Sequence, residues 1–132
     1  MGPNDVELVR VFPRQTGALI ANVTLPFNIA FEAAIDCASG AAIHASGAQY
    51  EIKIDVVDFS AMTSIVASAT VASGFLGDAG WRAQAQQFVF PIAAPGAVNE
   101  GHIWKIFASL KVGVANPYAS FAESDLFLIT SP

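Results

Sequence analysis

Two histidines, His44 and His102, are the side chains from which acid–base or metal chemistry would start in this chain. His102 closes the cluster Asn99-Glu100-Gly101-His102, which has donor types suited to zinc. The spacing argues against such a site, because neither His-x-x-x-His nor another paired motif accompanies it. A turn or surface histidine is the simpler reading of both. Asp55, Asp58 and Asp78 carry oxygens that calcium would accept, but no Asp-x-Asp-x-Asp run brings such oxygens together. Isolated aspartates are ordinary at turns and strand ends. Cys37 is the only cysteine, so an intrachain disulfide, a thiol redox pair and a four-cysteine zinc site are all excluded. Following an apolar strand and lacking a neighbouring histidine, it reads as a small apolar residue.

Other catalytic scaffolds are missing too. No Gly-x-Ser-x-Gly, Gly-x-Gly-x-x-Gly or Gly-x-x-x-x-Gly-Lys occurs, so neither a nucleophile elbow nor a phosphate cradle is present. Eleven acids without a pattern give no support to glycoside hydrolysis. The expectation is a protein without metal or cofactor that is not an enzyme. Among the aromatics, Trp104 alternates with core residues and is expected inside. Trp81 follows Gly80 in a predicted turn, and Tyr118 follows Pro117 in a predicted loop. With Asp78, these two form the candidate ligand-binding set, an aromatic platform beside an acid. Asn22-Val23-Thr24 matches a glycosylation pattern but falls inside a predicted strand, where a chance match is the default.

The elements that must hold these residues are strands. Period-two alternation runs through the chain, carried by β-branched and aromatic residues. It predicts strands over Val6–Phe12, Ala18–Leu25, Phe27–Asp36, Tyr50–Val56, Ala83–Phe90, His102–Val114 and Asp125–Thr130, with Pro13, Pro26 and Pro91 as stops. In Phe27–Asp36, the residues Phe27, Ile29, Phe31, Ala33 and Ile35 share one face, and the other is expected to be wet. Cys37–Gln49 reads as a long loop. Ser64–Ser73 fits both periods, and its β-branched residues favour a strand. Gly77-Asp78-Ala79-Gly80 reads as a turn, and Asn116-Pro117 as a break. About eight short strands and no clear helix in 132 residues predict an all-β chain, an antiparallel sandwich forming one domain over 1–132.

The segment Glu100-Gly101-His102-Ile103-Trp104-Lys105-Ile106 resembles the penultimate strand of immunoglobulin-like and fibronectin III-like sandwiches. There an acid opens the strand, an aromatic follows four positions later and a core residue two after that. Here Trp104 replaces the usual tyrosine, and Ile106 stands where true immunoglobulins have a cysteine. The resemblance implies a fold and not an activity.

Composition narrows the partners. Six Lys and Arg against eleven Asp and Glu leave a net charge of −5, and no basic stripe exists for nucleic acid. No apolar run reaches the length of a membrane helix, and Met1-Gly2-Pro3-Asn4-Asp5 lacks the basic and apolar regions of a leader. A native start at Met1 would place the chain in the cytoplasm, and a removed leader would place it outside. Hydrophobic residues make up 54% of the chain, charged residues 13%, and the mean hydropathy is +0.51. On strand His102–Val114, Ile103 and Phe107 interrupt the face opposite the core, and Val6–Phe12 shows a similar excess. These features predict a protein-interaction or self-assembly module, a homo-oligomer or the companion of a protein partner, with Ile103 and Phe107 in the interface. The alternative is a sandwich that binds a carbohydrate or small ligand, with or without calcium.

Overall fold

The computed structural model describes residues 5–114 and 117–132. The leader reading on Met1–Asn4 and the break at Asn116 therefore lie outside the described residues. Among these residues, nine strands form two sheets. They are β1 (Val6–Gln15), β2 (Thr24–Pro26), β3 (Phe31–Ser39), β4 (Gln49–Asp58), β5 (Ser64–Phe75), β6 (Ala85–Ile92), β7 (Ile103–Val112), β8 (Tyr118–Glu123) and β9 (Phe127–Thr130). The smaller sheet has the order β1-β3-β6. The larger has the order β2-β9-β7-β4-β5, with β8 also paired to β7. All pairings are antiparallel except the short β2–β9 ladder. The inner faces meet in one core, where Val6, Leu8, Val11, Phe31, Ile35 and Phe88 of one sheet face Ile52, Ile54, Trp104, Ile106, Leu110 and Phe127 of the other. The chain is thus an all-β sandwich.

Several boundaries differ from expectation, each for a local reason. Pro13 and Pro91 do not stop their strands, whereas β2 does end at Pro26. All three lie in edge strands, where a residue without an N–H removes no ladder bond from a central position. Ala18–Leu25 forms a strand only at its end. Before it, Ala18 N–H donates to Gln15, and Asn22 turns its amide oxygen back to the Gln15 N–H. Phe27 and Ile29 precede β3, because Ile29 N–H closes a turn onto Pro26. Ile29 is 49% exposed, and Phe27 only lies against the core. The expected Cys37–Gln49 loop begins as the end of β3 and continues as a one-turn helix, α1 (Ala41–Ala45), built from alanine-rich sequence. Strand β8 was not anticipated.

The apparent apolar excess on β1 comes from a β-bulge. The register steps from Leu8 opposite Cys37 to Arg10 opposite Asp36, leaving Val9 as the extra residue. The bulge switches the faces, so Val6, Leu8 and Val11 all enter the core. Phe12 is buried on the other side under Arg10, whose guanidinium lies 4.1 Å from the ring centre. The outer face of β3 is likewise covered instead of wet. Glu32, Ala34 and Asp36 lie beneath Arg14, Phe12, Arg10 and Gln87. Cys37 is a free, buried core thiol, pushed up to about 12 by burial and then by the neighbouring Asp36 charge.

Candidate functional site

The ladders β5–β4, β4–β7 and β7–β8 set the side chains of the larger sheet's outer face in rows. One row reads Ser73, Glu51, Lys111, Ala119. The next reads Thr70, Lys53, Ser109, Phe121, and the third Ser68, Asp55, Phe107, Glu123. Because successive strand residues alternate between faces, β4, β7 and β8 contribute every second residue to this surface, and β5 does so apart from a bulge between Thr70 and Ser73. A cavity of about 530 Å³ lies over the second and third rows, lined by Lys53, Asp55, Ser68, Thr70, Phe107, Ser109 and Phe121. A second of about 250 Å³ shares Lys53, Ser109 and Phe121 with it and adds Glu51 and Lys111. A third of about 270 Å³ continues past Glu51 and Lys111 toward Gly113. Together they make an open trough that runs along the strands.

The chemistry of the trough is mixed. Ser68 donates its hydroxyl proton to Asp55, Lys53 lies 3.4 Å from Glu51, and Lys105 lies 2.7 Å from Glu123. Phe121 is 75% exposed at one wall. Phe107 is half-buried, with Phe59 edge-on at 6.4 Å and the Lys105 ammonium 5.7 Å from its ring. Much of the apolar surface expected at Phe107 is therefore covered from within the chain. Ile103 is partly exposed beside Leu128, one strand away on β9.

This chain is similar in fold to the C-terminal domain of wzt. The likeness to that crystal structure covers 100% of this chain and 77% of the other, with a TM-score of 0.59 and 7% sequence identity. At that identity it bears on the fold alone. No family model matches the sequence, and no match is found among curated proteins.

The residues singled out from sequence are distributed elsewhere. Trp81 is 0% exposed, wedged edge-on against Tyr50 at 5.1 Å and Phe88 at 5.5 Å. It cannot serve as an exposed platform, a correction to the turn-based reading. Asp78 explains why a turn aromatic is buried. Its carboxylate accepts the N–H groups of Phe75, Gly80 and Trp81, folding the β5–β6 connection so that Trp81 points inward. The Phe75 bond leads in holding that carboxyl below its ordinary value. Tyr118 is exposed, but it opens β8 opposite Val112 and so belongs to the other face from Phe121. None of the three lines the trough.

The histidines are also apart. His44 bridges Ser39 and the Arg82 carbonyl, each at 2.8 Å, and ties α1 to the segment before β6. His102 Nδ1 lies 2.7 Å from Asp58 Oδ2. Among the described residues, no three His, Cys, Asp or Glu side chains group as a metal would need.

Asp58 anchors the β4–β5 turn. Its other oxygen accepts the N–H groups of Ser60 and Ala61, and the turn holds Met62 and Thr63 at φ of 58° and 60°. Such values are unfavourable for residues with a side chain, most of all for β-branched Thr63. Burial pushes the Asp58 carboxyl up, but hydrogen bonding and charge from His102, with help from the Trp104 indole and the turn amides, outweigh it and hold the group below its ordinary 3.8. The indole Nε1 lies outside hydrogen-bond geometry, so its influence is that of a nearby dipole. A depressed carboxyl stabilises the fold above its unfolded value and loses that contribution as pH falls through the folded one. Urea unfolding between pH 6 and pH 2 is expected to show stability declining below about pH 4. Asp58→Asn should flatten that decline. An unchanged acid limb in the variant would remove Asp58 from the account.

Sequence analysis missed Lys53, Asp55, Ser109 and Phe121 as a group. The outward alternation of Glu51, Lys53 and Asp55 was visible, and so was that of Lys105, Ser109 and Lys111. The missing fact was that β4 and β7, distant in sequence, are neighbours in the sheet.

Proposed function

We propose that this sandwich is a non-enzymatic carbohydrate-binding domain that holds its ligand in the trough on the outer face of the larger sheet. The observation that carries the reading is the lining of the 530 Å³ cavity, where two phenylalanines flank hydroxyl, carboxylate and ammonium groups. A saccharide ring has an apolar C–H face that rests on an aromatic surface and a rim of hydroxyls that both donate and accept. Phe121 and Phe107 suit the first, and Ser68, Thr70, Ser109, Asp55 and Lys53 suit the second. The trough carboxylates are already engaged with Ser68, Lys53 and Lys105, an arrangement that favours binding over acid–base work. The immunoglobulin-like kinship suggested by Glu100, Trp104 and Ile106 fits the same proposal, because such sandwiches serve many binding functions.

The test is an oligosaccharide array followed by titration monitored by backbone NMR. Binding should shift residues of β4, β7 and β8, and Phe121→Ala should weaken it by about tenfold. A second reading, self-assembly or a protein partner, draws on exposed Phe121, Met62 and Ile65. Light scattering separates the two. Concentration-dependent mass that Phe107→Lys abolishes, with no saccharide bound, would replace the first reading with the second.

A further inference from the structure

We propose that the ligand of this trough is an acidic saccharide whose anionic group is held by Lys111 and Lys53. The inference rests on the carbohydrate-binding reading and deepens it. All three lysines of the chain, Lys53, Lys105 and Lys111, project from this one face. The carboxylates beside them, Glu51, Asp55 and Glu123, equal them in number, so the net charge of −5 resides elsewhere on the molecule. The face is the part of an acidic chain that an anionic ligand approaches against least repulsion.

The lysines are not equivalent. Lys105 is held by Glu123 at 2.7 Å, and Lys53 shares Glu51 at 3.4 Å. The Lys111 ammonium makes no ion pair or hydrogen bond among the described residues, although the side chain lines two of the three cavities. Of the cations elsewhere, Arg10 and Arg14 are engaged by Asp36 and Glu32. Among the described residues, Lys111 therefore keeps a positive charge without an ion pair, although Glu51, which Lys53 shares, lies opposite it in the ladder. The 250 Å³ cavity sets that charge beside Lys53, with Ser109 between the two lysines and Phe121 across from Ser109. A sugar ring on Phe121 would bring a ring carboxylate to the two ammonium groups and its hydroxyls to Ser109 and Glu51. The trough continues past Lys111 toward Gly113 and past Lys53 to the row of Asp55 and Phe107, so the ring belongs to the interior of a linear chain as readily as to its end.

The test compares oligogalacturonate with its carboxyl-reduced neutral counterpart by calorimetry, using wild type, Lys111→Met and the charge-matched control Arg82→Met. The wild type should bind the acidic oligomer about tenfold more tightly than the neutral one. That advantage should shrink as salt is raised. Lys111→Met should erase the advantage and keep neutral binding, while Arg82→Met keeps both. Equal affinity for the two oligomers overturns the acidic ligand and leaves the carbohydrate reading standing. A preference that survives in Lys111→Met overturns the assignment of the lysine. Binding of polyglutamate with no affinity for either oligomer overturns both readings in favour of an acidic peptide, and no binding of any of the three rejects both.

Discussion

Truncation of Phe31 to alanine is expected to destabilise the fold by about 3–5 kcal/mol, the range for a large buried aromatic. Phe31 opens β3, is 1% exposed and lies between Phe127 at 5.8 Å and Trp104 at 6.4 Å. The ring thus joins the smaller sheet to two strands of the larger one. Removing it leaves a cavity among side chains whose backbones are fixed in ladders, so collapse around the gap is limited. Ile29→Ala, only two residues earlier, is a built-in control. Its side chain is half in water, and its loss should cost well under half as much. Urea denaturation of both variants checks the pair. Comparable losses at the two positions would show that the inter-sheet register around Phe31 is wrong.

Glu32→Ala should be nearly as damaging, at about 3–5 kcal/mol, although it lies on the outer face of the smaller sheet. Its carboxylate accepts from Arg14 Nε at 2.8 Å and from the Gly17 N–H at 3.2 Å, and Arg14 also donates to Gln87. Both side chains are about nine-tenths buried. Removing one leaves the other charge without its partner in a poorly hydrated place, and that desolvation is the source of the loss. Replacing both together, as Arg14→Met with Glu32→Leu, should restore most of the stability, because an apolar pair needs no compensation. The double-mutant cycle is the measurement. If the double variant were as unstable as Glu32→Ala, packing and not charge would account for the effect.

The alternation of β4 and β7 was legible residue by residue. Tyr50, Ile52, Ile54 and Val56 point inward, as do Trp104, Ile106, Ala108, Leu110 and Val112. The reason is physical: in a strand, consecutive side chains take opposite faces, and burial of one face selects the register. The same rule explains why an all-β sandwich followed from the sequence, and why β8, whose Ala, Ser and Phe give little contrast, did not. Composition likewise excluded an intrachain disulfide, since the single Cys37 has no partner within the sequence.

Tertiary structure alone decided the rest. Pro13 and Pro91 sit inside edge strands instead of ending them, because a strand's position in its sheet determines whether a missing N–H matters. Trp81 went inside because Asp78 gathers three backbone N–H groups around a turn, a contact set that no spacing rule encodes. Val11 changed faces because Val9 is one inserted residue in a ladder. The trough depended on pairing β4 with β7 and β7 with β8, so that Glu51, Lys53 and Asp55 meet Lys111, Ser109 and Phe107 row by row. A sequence sets what each strand offers on each face, through local alternation. Which strands lie side by side is settled by closing a common core, and a surface assembled from several strands exists only after that choice is made.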